Sequence, residues 1–311
     1  MVGYLFAGQG SQYVGMGKDL YQSFAEARAV FDTADKVLRF SISRLMFEGP
    51  QEELTKTQNC QPAILTISIA AWEVFKTVIR YPLSVIRYAA GLSLGEYSAL
   101  VAAEAISFED AVYLVRRRGE FMEEEAVNNP GSMASIIGLD LNAIKSICAK
   151  TNTEIANINC PGQTVISGSS PEIKKAELMA QEQGAKRVIL LEVSGAFHSS
   201  LMKLASLRLK EELDKIKVNM PKLSVISNVT AKPVAGAAEI KANLIKQVAA
   251  SVLWEDSMRF ILAQGVSKFF EFGPGKVLKG LMRRINENAE VMNIEKRDDL
   301  SKLQGVMQDE A

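Results

Sequence analysis

Ala89-Ala90-Gly91-Leu92-Ser93-Leu94-Gly95-Glu96-Tyr97-Ser98-Ala99-Leu100 decides how the rest of the chain is read. Gly91 to Gly95 form a G-x-S-x-G pentapeptide. Its meaning depends on the flanks: a strand running in and a helix running out put the serine on a sharp turn with its hydroxyl exposed. Ser84-Val85-Ile86-Arg87-Tyr88-Ala89 is apolar and β-branched enough for a buried strand, and Glu96 to Ala103 is helix material. The pattern therefore predicts an α/β fold with Ser93 as a nucleophile.

A serine nucleophile needs a base, and histidine is the usual one near neutral pH. The chain has a single histidine, His198. It lies in Val193-Ser194-Gly195-Ala196-Phe197-His198, where a predicted strand, Arg187 to Val193, gives way through glycine to a helix. The carboxyl end of a strand is where α/β proteins place their sites. A loop or capping histidine remains the plain alternative.

With 311 residues and 48% hydrophobic content, the chain can bury a large core. Lys+Arg and Asp+Glu both number 36, so no global basic field points to nucleic acid or a membrane surface. No apolar run approaches the ~20 residues of a membrane span, and Met1 to Phe6 reads as a first strand, not a signal peptide. Cys60, Cys148 and Cys160 lack metal-ligand spacing and read as reduced, buried thiols of a cytoplasmic protein.

Tyr4-Leu5-Phe6 enters Ala7-Gly8-Gln9-Gly10-Ser11-Gln12, a glycine loop whose Gln9 N–H is free to approach a ligand; a simple turn is the alternative. Helical periodicity runs from Leu20 to Leu38, and Gln61-Pro62-Ala63 opens a second apolar helix. Ser107 caps a helix over 111–126 that carries Arg116-Arg117-Arg118. Consecutive helical residues point about 100° apart, so periodicity does not say which arginine faces a site.

Beyond Asn128-Asn129-Pro130-Gly131 the pattern changes to β-α-β-β-α-β, the ferredoxin-like unit. The expected organisation is a main domain over 1–129 and 195–311 with an insert over 130–194, and a ligand cleft between them. The returning chain is expected to hold helices over 199–216, 244–250 and 256–263, a strand over 223–227, and a last strand, Lys268 to Phe272. That strand enters Gly273-Pro274-Gly275 and a helix carrying Lys276, Lys279, Arg283 and Arg284. The tail from Glu295 reads as frayed.

Taken together, Gly8-Gln9-Gly10-Ser11-Gln12, Gln61-Pro62-Ala63, Gly91 to Tyr97, Arg118-Gly119, Asn157 with Pro161-Gly162-Gln163, Gly195 to His198 and Gly273 to Leu278 resemble the malonyl-CoA:acyl carrier protein transacylases of bacterial fatty-acid synthesis. The resemblance covers nearly the whole chain. It implies an α/β-hydrolase-like main domain with a mostly parallel sheet and a ferredoxin-like insert. It also implies malonyl transfer from CoA to a carrier-protein thiol through a malonyl-serine. By this resemblance Ser93 is the nucleophile and His198 the base, oriented by the backbone carbonyl of Gln247. Arg118 meets the malonyl carboxylate, the N–H groups of Gln9 and Leu94 form the oxyanion hole, and Gln61 lines the site.

No metal or cofactor is expected, and the partners would be acyl carrier protein and malonyl-CoA, with no nucleic acid or membrane, for a monomer. The basic strip after Gly275 is a candidate carrier-protein face. Two departures stand out. Leu92 occupies a position where many members have histidine, and Glu104 one where a small residue is usual. A trans-acting acyl hydrolase or acyltransferase of a polyketide pathway, and a non-catalytic carrier-protein-binding subunit, are the alternatives on the same fold.

Overall fold

The structure, a computed structural model, describes residues 1–79 and 85–309. Strand β1 (Val2–Phe6) is buried at every position, as a central strand covered on both faces must be. It lies between β2 (Ile86–Gly91) and β9 (Lys268–Phe272); β7 (Ser224–Val225) and β10 (Glu290–Ile294) complete a sheet of order β10-β9-β1-β2-β7. All its pairings are parallel. Ser84, the expected first residue of β2, lies outside the described residues.

Helices α1 (Lys18–Ser23), α2 (Ala25–Leu38), α3 (Ile42–Glu48), α4 (Gln51–Thr55) and α5 (Thr57–Val78) separate β1 from β2. The single helix expected over 20–38 is two, because Phe24 is extended (φ −129°, ψ 130°). Helix α5 is buried along most of its length, and its Phe75 packs on Phe272 of β9 at 5.3 Å between ring centroids. It starts at Thr57, not at Gln61, and Pro62 lies inside it. Proline has no N–H for the carbonyl four residues back. Arg116 takes that carbonyl instead: its Nη1 donates to Gln58 O at 3.1 Å and to Asn59 Oδ1 at 2.6 Å.

The elbow leads into α6 (Gly95–Ala102), followed by α7 (Phe108–Asn128), whose N-cap Ser107 accepts from Asp110 N. Glu104, just past α6, has φ 56° and pairs with Lys222 at 2.5 Å. The next segment is β3 (Gly131–Ile137), α8 (Leu141–Thr151), β4 (Glu154–Cys160), β5 (Gln163–Ser169), α9 (Ser170–Glu182) and β6 (Arg187–Leu190). Its strand order, β6-β3-β5-β4, is that of an antiparallel ferredoxin-like sheet. A short strand from the later chain, β8 (Val252–Leu253), adds to this sheet in parallel with β4.

After a 3₁₀ turn at Ser200–Met202 come α10 (Lys203–Lys215), α11 (Ala237–Gln247), α12 (Trp254–Ala263) and α13 (Val277–Ile285). The helix expected over 244–250 therefore ends at Gln247 and begins seven residues earlier, at Ala237. The segment from Glu295, expected to be a frayed tail, instead follows β10 into α14 (Arg297–Asp309), and Tyr13 donates a hydrogen bond to Glu295.

Candidate active site

The elbow is built by close approach. A Cβ on Gly91 would lie 2.0 Å from the Gly95 carbonyl, and one on Gly95 would lie 2.2 Å from Phe6 O. No side chain fits at either position, so the turn at Ser93 is tight against β1. Ser93 itself sits at φ 51° and His198 at φ 58°, in the left-handed region that L-residues other than asparagine and aspartate seldom occupy. Such strain persists where surrounding contacts over-determine it.

Ser93 Oγ and His198 Nε2 are 2.8 Å apart. His198 Nδ1 lies 2.8 Å from Gln247 O. A carbonyl only accepts, so Nδ1 carries the proton and Nε2 presents a lone pair to the Ser93 hydroxyl. Burial, and next the charge of Arg118, lower the His198 pKa from 6.5 to about 4. The imidazole is thus neutral and ready to accept a proton through the physiological range.

Arg118 comes from α7 and is 1% exposed. Its Nη2 donates to Ser93 Oγ at 3.1 Å and to Gln247 Oε1 at 3.1 Å, while Nη1 donates to Gln61 Oε1 at 2.8 Å. Nε has no partner. Every acceptor it touches is neutral, and burial lowers its affinity for its proton, opposed by Tyr97 and Glu96. Its helix can approach α5 because position 119 is glycine: a Cβ there would meet Gln58 Cα and Thr57 O at 2.7 Å. Arg116 and Arg117 point elsewhere, both bound to Glu120.

These groups face a cleft of about 470 Å³. Gln9, Leu92, Ser93 and Arg118 line one side, and Met133, Asn157, Asn159 and Val165 of the second sheet line the other, with Val277 also at its edge. Gln61, expected to line the site, is fully buried behind it and touches the lining residues Arg118 and Met122 rather than the cleft itself. Leu92 supplies apolar wall to the cleft.

Around the elbow, Ser93 N donates to Asn228 Oδ1, Gly95 N to Leu92 O and Glu96 N to Ser93 O. Among the described residues no hydrogen bond starts at Leu94 N or Gln9 N, which leaves both N–H groups able to serve an incoming oxyanion. Two buried polar residues close the back of the site and were not anticipated. Asn228 follows β7, and Glu96 receives Asn228 N at 3.1 Å and Gln247 Nε2 at 2.7 Å. Burial raises the Glu96 pKa from 4.5 to about 7, against those two hydrogen bonds and Arg118. Glu96 stands inside the quoted elbow motif, but nothing near Asn228 in sequence announces it.

A parallel α/β sheet with a serine elbow, a neutral histidine and a buried arginine facing one cleft is the arrangement of an acyltransferase. The chain belongs to the Acyl transferase domain family, matched over residues 3–293. It is 49% identical over 298 residues to the malonyl CoA-acyl carrier protein transacylase of Bacillus subtilis (strain 168), covering 94% of this chain and 93% of that protein. The crystal structure of the acyl-carrier-protein-S-malonyltransferase from Bartonella henselae superposes with TM-score 0.94 at 38% identity, covering 99% of each chain. A further solved structure is a type II PKS acyl-carrier protein in complex with its malonyl-transacylase. It matches at TM-score 0.93 and 36% identity, covering 98% of this chain and 99% of that one. Among the described residues no helix is long and apolar enough to cross a membrane, and no cluster of three His, Cys, Asp or Glu is placed to hold a metal.

Proposed function

We propose that this chain is an acyl-carrier-protein S-malonyltransferase, moving malonyl from CoA to the phosphopantetheine thiol of a carrier protein and so supplying extension units for fatty-acid synthesis. The observation that carries the reading is Arg118: a buried cation 3.1 Å from the nucleophile, with no carboxylate in hydrogen-bonding contact among the described residues. A buried arginine lacking an anionic partner is costly, and its planar fork suits a carboxylate. Malonyl brings one; an acetyl or longer acyl chain does not. The acyl-hydrolase alternative gives that guanidinium nothing to bind.

His198 Nε2 takes the Ser93 proton as Oγ attacks the thioester carbonyl. The carbonyl π pair moves to oxygen, where the N–H groups of Gln9 and Leu94 receive it, each such donor being worth roughly 3 kcal/mol. Collapse breaks the C–S bond, and the CoA sulfur leaves with the proton from His198. The carrier-protein thiol then gives its proton to His198 and attacks the malonyl-serine ester. Breaking the C–O bond returns the proton to Ser93, so the kinetics are ping-pong. Each step moves one proton through Nε2, and the Gln247 carbonyl stabilises the imidazolium without being protonated. No metal or cofactor enters these steps, and all the groups come from one chain, so a monomer suffices. Three buried free thiols fit a reducing cytoplasm.

Intact-mass analysis after incubation with malonyl-CoA tests the assignment. The wild-type chain gains one malonyl group and Ser93→Ala, with unchanged circular dichroism, gains none. An undiminished adduct in Ser93→Ala rejects Ser93 as nucleophile.

A further inference from the structure

The strained serine is held from behind by groups that touch neither substrate nor imidazole. Asn228, fully buried, reaches both ends of the elbow: Oδ1 accepts from Ser93 N at 2.7 Å and Nδ2 donates to Gly91 O at 2.8 Å. Its own backbone N–H is fixed by Glu96 Oε2, the same oxygen that receives Gln247 Nε2. Gln247 Nε2 also donates to Ser93 O at 3.0 Å. One carboxylate oxygen therefore ties the elbow to the residue whose carbonyl orients His198 and whose Oε1 receives Arg118.

We propose that Asn228 and Glu96 are positioning residues that brace the nucleophile elbow, holding Ser93 in its left-handed conformation with Oγ against His198. The physical reason is the backbone strain at Ser93. A non-glycine residue held in that region is strained and relaxes unless something opposes it. Relaxation would swing Oγ away from Nε2. The brace opposes it by satisfying Ser93 N–H and Gly91 C=O simultaneously, in a buried place where either group left alone is penalised. Glu96 does not act as a triad acid, since Gln247 O occupies His198 Nδ1. Nor does its role require charge: Oε2 accepts both bonds whether the other oxygen is protonated or not, consistent with burial holding its proton affinity near neutrality. A glutamine in its place keeps the acceptor.

The inference deepens the malonyl-transfer reading but does not stand or fall with it, because serine reactivity is measurable without malonyl. The experiment follows phosphonylation of Ser93 by an uncharged fluorophosphonate in wild type, Asn228→Ala, Glu96→Ala and Glu96→Gln, alongside kcat and KM for malonyl-CoA. Labelling and kcat should fall about tenfold or more in both alanine variants, with KM within about threefold, and Glu96→Gln should stay within about threefold of wild type throughout. Alanine variants that label at the wild-type rate overturn the proposal. So does a Glu96→Gln variant as slow as Glu96→Ala, since the loss would then follow charge. Should the alanine variants fail to fold, Asn228→Leu, close in volume and without polar atoms, decides by the same labelling rate. A wild-type chain that labels but accepts no malonyl would leave the brace standing and remove the malonyl reading.

Discussion

Arg118 Nη2 lies 3.1 Å from Ser93 Oγ, so the cation that would meet an acyl carboxylate already touches the nucleophile. With Arg118 donating to Oγ, the serine proton has only His198 to go to. The same guanidinium lowers the proton affinity of His198. Selection of the acyl group, orientation of the serine and tuning of the base thus share one side chain.

Removing that side chain should separate acyl groups. Arg118→Ala is expected to cost malonyl transfer roughly 2–5 kcal/mol in kcat/KM, the scale of unpairing a buried charge. Acetyl transfer should fall less, by an amount reflecting Gln61 Oε1 and Gln247 Oε1 left without their donor. Arg118→Lys keeps the charge without the fork and should lie between. The measurement is kcat/KM for malonyl-CoA and acetyl-CoA in each variant. Equal losses for both substrates would mean that Arg118 only holds the structure.

The pH dependence follows from the depressed histidine. In the free enzyme His198 stays neutral down to about pH 4, so the acid limb of kcat/KM belongs near there rather than at 6.5. Burial is the larger cause and Arg118 the second. Neutralising that cation with a bound malonyl carboxylate should raise the His198 pKa, placing the acid limb of kcat above that of kcat/KM. In Arg118→Ala with acetyl-CoA the limb should also move up, and an unmoved limb would remove Arg118 as a cause. For stability the sign is fixed as well. The unfolded chain binds a proton at its histidine near pH 6.5 and the folded one only near 4, so this contribution is present above 6.5 and lost as pH falls through that window. Glu96 and Glu271, held up to about 7 by burial, act oppositely, losing stability as pH rises from 4.5 to 7.

The neighbouring arginines should behave unlike Arg118 and unlike each other. Arg116 Nη1 satisfies the Gln58 carbonyl that Pro62 leaves without a donor, and Asn59 Oδ1 as well. Arg116→Ala should destabilise by about 1–2 kcal/mol, the range for charged hydrogen bonds partly replaced by water, while kcat stays unchanged. The Arg117 side chain is 34% exposed, and its two partners, Glu120 and Glu212, keep Arg116 and Lys215 without it. Arg117→Ala should be nearly silent. Thermal unfolding and kcat for the pair check this; equal midpoints for the two variants would refute the role given to Arg116.

What the sequence reveals about this site divides by range. The elbow is legible because its signal is local: β-branched residues before Gly91, glycines where no Cβ fits, helix formers after. His198 is legible because the chain has no other histidine. Arg118 is not separable from Arg116 and Arg117 by helical spacing, and required family resemblance. Asn228 and Glu96 meet across 132 residues, and no local pattern encodes such a contact. Strand β7 lies inside the strand expected over 223–227, whereas β8 has only two residues, too few for alternation to register, and β10 mixes Glu290 and Asn293 into its apolar residues. Pro62 looked like a helix start because proline favours a first turn. Inside α5 it leaves the Gln58 carbonyl without its helical donor, and Arg116, distant in sequence, supplies one.

A carrier protein is expected to dock beside α13. Lys276, Lys279 and Arg283 are exposed at the start and along the outer face of α13, and Val277 between them is half exposed while also lining the cleft. A carrier protein presenting an acidic face there would place its pantetheine arm beside the cleft entrance. Arg284 belongs to a different task. It donates to Gln163 Oε1 at 2.9 Å and to Pro161 O at 3.0 Å, fastening α13 to the β4–β5 turn. The docking strip therefore comprises Lys276, Lys279 and Arg283, without Arg284. Charge reversal at Lys279 and Arg283 together should raise the apparent KM for an acidic carrier protein several-fold and leave that for malonyl-CoA unchanged. The wild-type advantage should shrink as added salt screens exposed charges beyond a Debye length of about 8 Å. Steady-state kinetics with each substrate varied in turn, at low and high ionic strength, reads both effects. A change that falls equally on the two substrates, or one that salt does not touch, would place the carrier protein elsewhere on the molecule.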